Sequence, residues 1–358
     1  MSREFTIKVP ASSANIGPGF DVLGIGLNLY LSLHVSIPAS GSTSKSADPY
    51  GVSLSYTADS DSADSVPTQS DKNLITKTAL YVLHANGVRQ FPIGTRVVCD
   101  NPIPLGRGLG SSASAIVAGV MLANEVGKFG FDKKRLLDYC LMIERHPDNI
   151  TATLLGGFVG SFLRQLTPEE DSKVHQPLDQ LLPSPETPTG YIPADAPLSL
   201  AAHVKYPWNP KIKCIAIIPK FEVKTEDSRR VLPSSYSKDD VIFNLQRLAV
   251  LTSAVGQEPP SSDMIYNSMQ DSLHQPYRKI LIPGLTDIIS NYTPQTHPGL
   301  MGICLSGAGP TILALATENF DEIAQAIIDR FSKENVVCTW KLLDVAHEGA
   351  VIEESSKL

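Results

Sequence analysis

The chain of 358 residues lacks any run of lysine and arginine, any close cysteine pair and any apolar stretch near the ~18 residues of a membrane helix. Each absence excludes a class of function. With 37 acidic against 30 basic side chains and a net charge of −7, a sequence-independent grip on the nucleic-acid backbone is excluded. Cys99, Cys140, Cys214, Cys304 and Cys338 stand far apart in apolar stretches, so neither a zinc site nor a disulfide framework is indicated. Reduced, buried thiols are expected. Residues 1–10 carry Arg3, Glu4 and Lys8 and lack the apolar core of a signal peptide, which points to a cytoplasmic protein without a membrane partner. The last residues, Ser356-Lys357-Leu358, match a peroxisomal address and leave import open as an alternative. No internal repeat is visible.

What is present is strand and helix in mixed order. Phe5, Ile7 and Val9 alternate with polar neighbours, as do Leu27, Leu29, Leu31, Leu33, Val35 and Ile37, which predicts two strands with one wet face each. Asp71 is expected to cap a helix running to Leu83. Thr95 to Cys99 reads as a strand, Ser111 to Val126 and Lys133 to Glu144 as helices, and Gly156 to Leu163 as a strand after a short apolar segment. Strands at about 198–204, 213–219, 301–305, 311–316 and 336–343, with helices between them, complete an α+β chain. The expected division is an N-terminal domain over 1–163 and a C-terminal domain over 164–358. Polar insertions at about 38–70 and 165–197 are expected to be exposed loops.

Chemistry is concentrated in the segment Pro104-Leu105-Gly106-Arg107-Gly108-Leu109-Gly110-Ser111-Ser112-Ala113-Ser114, which enters a helix directly. Three glycines clear the way for backbone N–H groups to converge on a phosphate, and the helix start adds unpaired N–H groups and the positive end of its dipole. Polyphosphate can be held here without lysine. No Gly-Lys-Ser/Thr closes the loop and no dinucleotide fingerprint is present. Ser111 and Ser112 can cap the helix and leave one hydroxyl for magnesium beside bound phosphates.

This loop resembles the nucleotide-binding motif of the GHMP small-molecule kinases, which include galactokinase, homoserine kinase, mevalonate kinase and phosphomevalonate kinase. Two further segments are similar to the remaining motifs of that superfamily: residues 9–21, Val-Pro-Ala-Ser-Ser-Ala-Asn-Ile-Gly-Pro-Gly-Phe-Asp, and residues 304–311, Cys-Leu-Ser-Gly-Ala-Gly-Pro-Thr. The form of the first motif, with His146-Pro147-Asp148-Asn149, resembles the homoserine kinase family, its fungal members most of all. The resemblance implies a two-domain fold, an N-terminal domain like the second domain of ribosomal protein S5 and a ferredoxin-like C-terminal domain, with the site between them. It also implies ATP and Mg2+, the substrate L-homoserine and a homodimer.

Residue roles follow from the same resemblance. Asp21 would take the substrate ammonium and Asn15 a polar contact, while Arg229 and Arg278 would grip the carboxylate with a planar fork that lysine cannot imitate. Arg230 competes with Arg229, and Thr225 adds a hydroxyl nearby. Glu144 and Ser112 would ligate magnesium, with Asp138 and Ser111 as alternatives; helix periodicity puts Asp138 on a solvated face. Asn149 stands where mevalonate kinase has an aspartate proposed as base, and an amide cannot take a proton. The implied catalysis is therefore positioning and charge stabilisation. His146 and Gly307 would sit near substrate and Asn73 near adenine. Two other readings stay open, a GHMP kinase for another small alcohol and a relative that senses ligand without turnover.

Overall fold

The computed structural model describes residues 2–39, 48–58, 60, 65–183 and 190–354. The terminal Ser356-Lys357-Leu358 and parts of both polar insertions lie outside the described residues. Among the described residues eleven strands follow in chain order: β1 (Arg3–Ala14), β2 (Leu23–Ile37), β3 (Val52–Tyr56), β4 (Thr95–Asp100), β5 (Phe158–Leu163), β6 (Ala201–Tyr206), β7 (Lys213–Pro219), β8 (Leu300–Leu305), β9 (Ile312–Ala316), β10 (Cys338–Leu343) and β11 (Val351–Glu354). The helices are α1 (Leu74–Ala85), α2 (Ser111–Gly127), α3 (Lys133–Ile143), α4 (Pro147–Leu155), α5 (Pro168–Val174), α6 (Leu178–Leu181), α7 (Thr225–Arg230), α8 (Lys238–Ala254), α9 (Ser262–Ser268), α10 (Gln275–Arg278), α11 (Leu285–Asn291) and α12 (Phe320–Ser332). No helix among the described residues is long and apolar enough to cross a membrane.

The larger sheet is seven-stranded, ordered β11-β1-β2-β4-β3, with β5 on β2 and β6 on β5. Its register is carried by alternation: Phe5, Ile7 and Val9 are buried, opposite Val35, Leu33 and Leu31. The pairing of β1 with β2 shifts between Pro10 and Ala11, where proline has no N–H to give the ladder. Helices α1 to α4 and this sheet share one apolar core. The smaller sheet is antiparallel, ordered β10-β7-β9-β8, and buries Ile215, Ile303 and Ile312 with Ile323, Ile327 and Phe331 of α12.

Several expectations need correction. Strands β6 and β11 return to the larger sheet from beyond residue 163, so a division at 163/164 cuts across a hydrogen-bonded ladder. The cap of α1 is Asn73, whose side chain accepts from the Ile75 N–H, and not Asp71. Residues 147–149 and the short apolar segment after them form one helix, α4, started by Pro147 in its first turn and stopped by Gly156 at φ +74°. Within the second insertion α5 carries a Thr167/Glu170 capping box, and Val174, Leu181 and Leu182 are buried in the main core. That segment is a cover over α1 and α3 rather than a free loop: Tyr81 donates to the Ala194 carbonyl and Arg135 to that of Ala196.

Asp138 is 2% exposed, contrary to the solvated face expected from helix periodicity. Its carboxylate accepts the N–H groups of Ser199 (2.9 Å) and Leu200 (2.8 Å), fixing the approach to β6, and it has no place among the cleft residues. Burial pushes its pKa up and those two N–H groups pull it back. Asp138→Ala is therefore expected to lower unfolding stability by about 1–3 kcal/mol, because two donors lose their acceptor, without changing the magnesium dependence of turnover. Denaturant melts and a magnesium titration of activity check both.

Candidate active site

The three motifs and the His146–Asn149 segment meet in one cleft. Its walls include Asn15, Asp21, Gly106, Arg107, Gly108, Gly110, Ser111, Ser112, Ala113, Glu144, His146, Asn149, Thr225, Arg229, Arg278 and Gly307. Leu105 and Asn73 line a neighbouring cavity with Leu31 and Tyr56, and Gly106, Ser111 and Ser112 border both spaces. The Asn73 amide is already used: it caps α1 and donates to the Tyr56 hydroxyl and the Pro67 carbonyl. Pro104 and Leu109 are buried behind the loop and outside both spaces. Ser114 is fully buried against β1, its hydroxyl donating to the Pro10 carbonyl (2.9 Å) with the Gly110 carbonyl 3.1 Å away.

The loop has the shape that anion binding requires. Gly108 (φ +81°) and Gly110 (φ +68°) are left-handed, and a Cβ on either would lie 2.3 Å from the Ser306 carbonyl oxygen or 2.1 Å from Ser12 Oγ. Gly110 is the N-cap of α2 and makes no side-chain cap, so neither serine hydroxyl is committed to capping, contrary to the sequence expectation. Ser112 is exposed toward the cleft, whereas Ser111 is 8% exposed. Across from them Glu144 ends α3, and its Oε1 lies 2.5 Å from His146 Nδ1. That contact raises the His146 pKa. Among the described residues no three His, Cys, Asp or Glu side chains form a metal cluster. A metal here would draw on one carboxylate, a hydroxyl and the oxygens of a bound phosphate, which suits magnesium.

At the other end of the cleft Arg229 donates to both oxygens of Asp21, at 2.6 and 3.1 Å. The two groups assigned to opposite ends of an amino acid therefore pair with each other. Asp21 is shaped by Asn15, whose Oδ1 accepts the Asp21 N–H (2.8 Å), both residues being left-handed. Arg278 is 2% exposed and donates to the Gly307 carbonyl (2.9 Å), the Ser228 carbonyl (3.3 Å) and His274 Nδ1 (3.1 Å). Burial lowers its pKa to about 10, which leaves it charged at neutral pH. Both guanidiniums pack over the Phe20 ring, at 5.5 and 5.3 Å. Arg230 turns outward to Asp227 and leaves the cleft to Arg229.

The GHMP kinases N terminal domain family matches residues 73–157. The homoserine kinase of Saccharomyces cerevisiae is 62% identical, covering 99% of this chain and 100% of its own length. The chain belongs to the homoserine kinase family. The Candida albicans homoserine kinase is 55% identical over 98% of this chain and 99% of its own. A solved homoserine kinase from Cytophaga hutchinsonii matches the fold at a TM-score of 0.73 and 26% identity, covering 98% of this chain and 97% of that one. The α+β fold of the GHMP kinases is thereby established for this chain.

One cleft residue of the family segment had been given no role from sequence. Asp148 is 1% exposed, and its Oδ1 accepts the Asn149 N–H at 2.8 Å. Burial, reinforced by the nearby charge of Asp21, pushes its pKa up to about 6. Its signal is its place inside the 146–149 quartet; its burial comes from helix α4, which the sequence reading does not assign. A carboxyl raised in the fold costs stability only where the unfolded chain is ionised and the folded one resists ionisation. The gap in melting temperature between Asp148→Asn and the native chain is expected to widen from pH 4 to about 6 and then level off, as thermal melts across that range would show.

Proposed function

We propose that the chain transfers the γ-phosphoryl group of ATP to the hydroxyl of L-homoserine, giving ADP and O-phospho-L-homoserine on the route to threonine. The observation that carries this reading is the joining, in one cleft, of a lysine-free phosphate loop to an Asp21–Arg229–Arg278 cluster. A zwitterion is the ligand that such a cluster complements: its carboxylate can join the two guanidiniums, and its ammonium can join Asp21. Asp148 favours the same occupant, since an ammonium beside Asp21 would draw its raised pKa back down.

Phosphates would lie on the N–H groups of Gly106 to Ala113 at the start of α2, with adenine toward the cavity of Tyr56 and Asn73. Ser112 and Glu144 would hold Mg2+, which supplies charge neutralisation on the phosphates; Ser111 is the less accessible alternative to Ser112. Asn149 would contact the attacking hydroxyl, with His146 and Thr225 beside it and Gly307 supplying a close backbone wall. The new bond forms between that hydroxyl oxygen and the γ-phosphorus as the bond to ADP breaks, and the hydroxyl proton is released. No side chain needs to be a strong base, so the rate rests on positioning and on charge stabilisation by backbone N–H groups. The same reading carries the family's homodimer and cytoplasmic location, which light scattering and imaging of a fusion with a free C-terminus test.

A coupled ADP-release assay with homoserine, mevalonate, galactose and shikimate is the direct test. Turnover is expected with homoserine, and turnover with mevalonate in its place would overturn the reading. Arg278→Lys is expected to raise KM for homoserine about 10- to 100-fold, the worth of a charge-assisted hydrogen bond, with little change in KM for ATP. Ser112→Ala is expected to depress kcat and to raise the magnesium concentration for half-maximal rate; an unchanged magnesium profile would move that role to Ser111.

A further inference from the structure

We infer that Ser12 is a positioning residue that anchors the Asn149 amide by its Oδ1 end and leaves Nδ2 for the substrate; this rests on the proposed kinase reading. Ser12 is fully buried on β1, on the strand that bears the first motif, and it is not itself a wall of the cleft. Its Oγ donates to Asn149 Oδ1 at 3.0 Å across 137 residues of sequence.

An amide has an acceptor end and a donor end of nearly the same shape, and a serine hydroxyl can serve either; in this structure it donates to Oδ1. The single proton of Ser12 Oγ goes to Oδ1, while the Asn149 main-chain N–H is taken by Asp148. The Nδ2 amino group, which has no protein partner among the described residues, is the end left for the cleft. Asn149 therefore meets the acceptor alcohol as a donor to its oxygen. It orients that oxygen without competing for the hydroxyl proton, and a lone pair remains for attack on phosphorus. A flipped amide would present Oδ1, accept the hydroxyl proton in a hydrogen bond and turn the alcohol oxygen differently.

Ser12 is also tied to the phosphate loop. Its N–H donates to the Leu109 carbonyl at 3.2 Å, and its hydroxyl packs so tightly on Gly110 that a Cβ there would lie 2.1 Å from Oγ. One side chain thus references the alcohol-orienting amide to the N-cap of the phosphate-binding helix, the two parts whose spacing sets the approach of oxygen to phosphorus.

The test is a double-mutant cycle in kcat with Ser12→Ala and Asn149→Ala, with Ser12→Cys as a weaker donor. Ser12→Ala is expected to lower kcat about tenfold, with KM for ATP and for homoserine within about twofold of native. Ser12→Cys should fall between. Because Ser12 acts through Asn149, adding Ser12→Ala to Asn149→Ala should change kcat by less than about twofold. Losses that multiply, an unchanged kcat in Ser12→Ala, or failure of both Ser12 variants to fold would each assign Ser12 to the scaffold and overturn the inference. Homoserine left unphosphorylated by the native chain, or Asn149→Ala at native kcat, would instead remove the functional reading underneath it.

Discussion

The phosphate loop has to keep a shape that its own residues do not stabilise. Gly106, Gly108 and Gly110 are all left-handed, and glycines lose the most conformational freedom on ordering. The shape is imposed from outside. Ser12 N–H binds the Leu109 carbonyl, Ser306 Oγ the Gly108 carbonyl, Thr311 N–H the Arg107 carbonyl and Val223 N–H the Gly106 carbonyl. Ser306 has one hydroxyl proton, given to Gly108, so its 2.7 Å contact with Ser13 must be donated by Ser13. Adjacent serines of β1 thereby reach two sides of the loop. The three motifs, at residues 9–21, 104–114 and 304–311, form one object because each carries hydrogen bonds the others lack.

A second constraint is charge placed against the protein's average. The chain is acidic overall, yet three arginines, Arg107, Arg229 and Arg278, line its cleft, the last of them almost fully buried. A buried cation is costly unless its donors are satisfied. Arg278 is satisfied by two carbonyls and by His274 Nδ1, and that nitrogen can accept because His274 gives its Nε2 proton to the Gly17 carbonyl at 2.8 Å. Burial lowers the His274 pKa, the direction that keeps the ring neutral and Nδ1 an acceptor. Protein groups thus fix the guanidinium before any ligand arrives, and net charge says nothing about it. It excludes a polyanion as partner without excluding a triphosphate held by backbone dipoles.

Sequence reasoning located most strands and the long helices because alternation and helical periodicity act locally. Lys213–Pro219 matches the expected bounds, and α2 differs only at its last residue. It failed where the deciding contact is distant. Asp138 looks solvated until residues 199–200 fold onto α3, and the second insertion looks exposed until Leu181 and Leu182 reach the core. Cleft membership was largely legible through the motifs, but hydrogen-bond roles were not. Nothing in the spacing of Asp21 and Arg229 announces that they pair, and Ser114 reads like Ser111 and Ser112 until the fold buries it against β1. Helix α4 was legible in principle, since proline in the first turn and glycine after the last are its own punctuation.

The path of the chain between the two sheets bears on how the cleft works. Strand β6 extends the larger sheet before β7 opens the smaller one, and β11 pairs with β1 after β10 has closed it. The third motif is anchored as well, with Gly307 N–H on the Ala14 carbonyl. Wholesale separation of the sheets would break the bonds that tie the third motif to the other two, Gly307 N–H to the Ala14 carbonyl, Thr311 N–H to that of Arg107 and Ser306 Oγ to that of Gly108. The rigid wall of the site, formed by β1, the phosphate loop and the third motif, is thus complete in the chain by itself. Residues that approach from the exposed side, such as Thr225 on the six-residue helix α7, are held by less. Arg229 on that helix reaches across the cleft to the Phe20 ring and to its pair with Asp21, the contact that a zwitterionic ligand would have to share. On the proposed function, substrate entry would be coupled to α7 through an ion pair, while the geometry around phosphorus would stay with the part of the fold that cannot readily move.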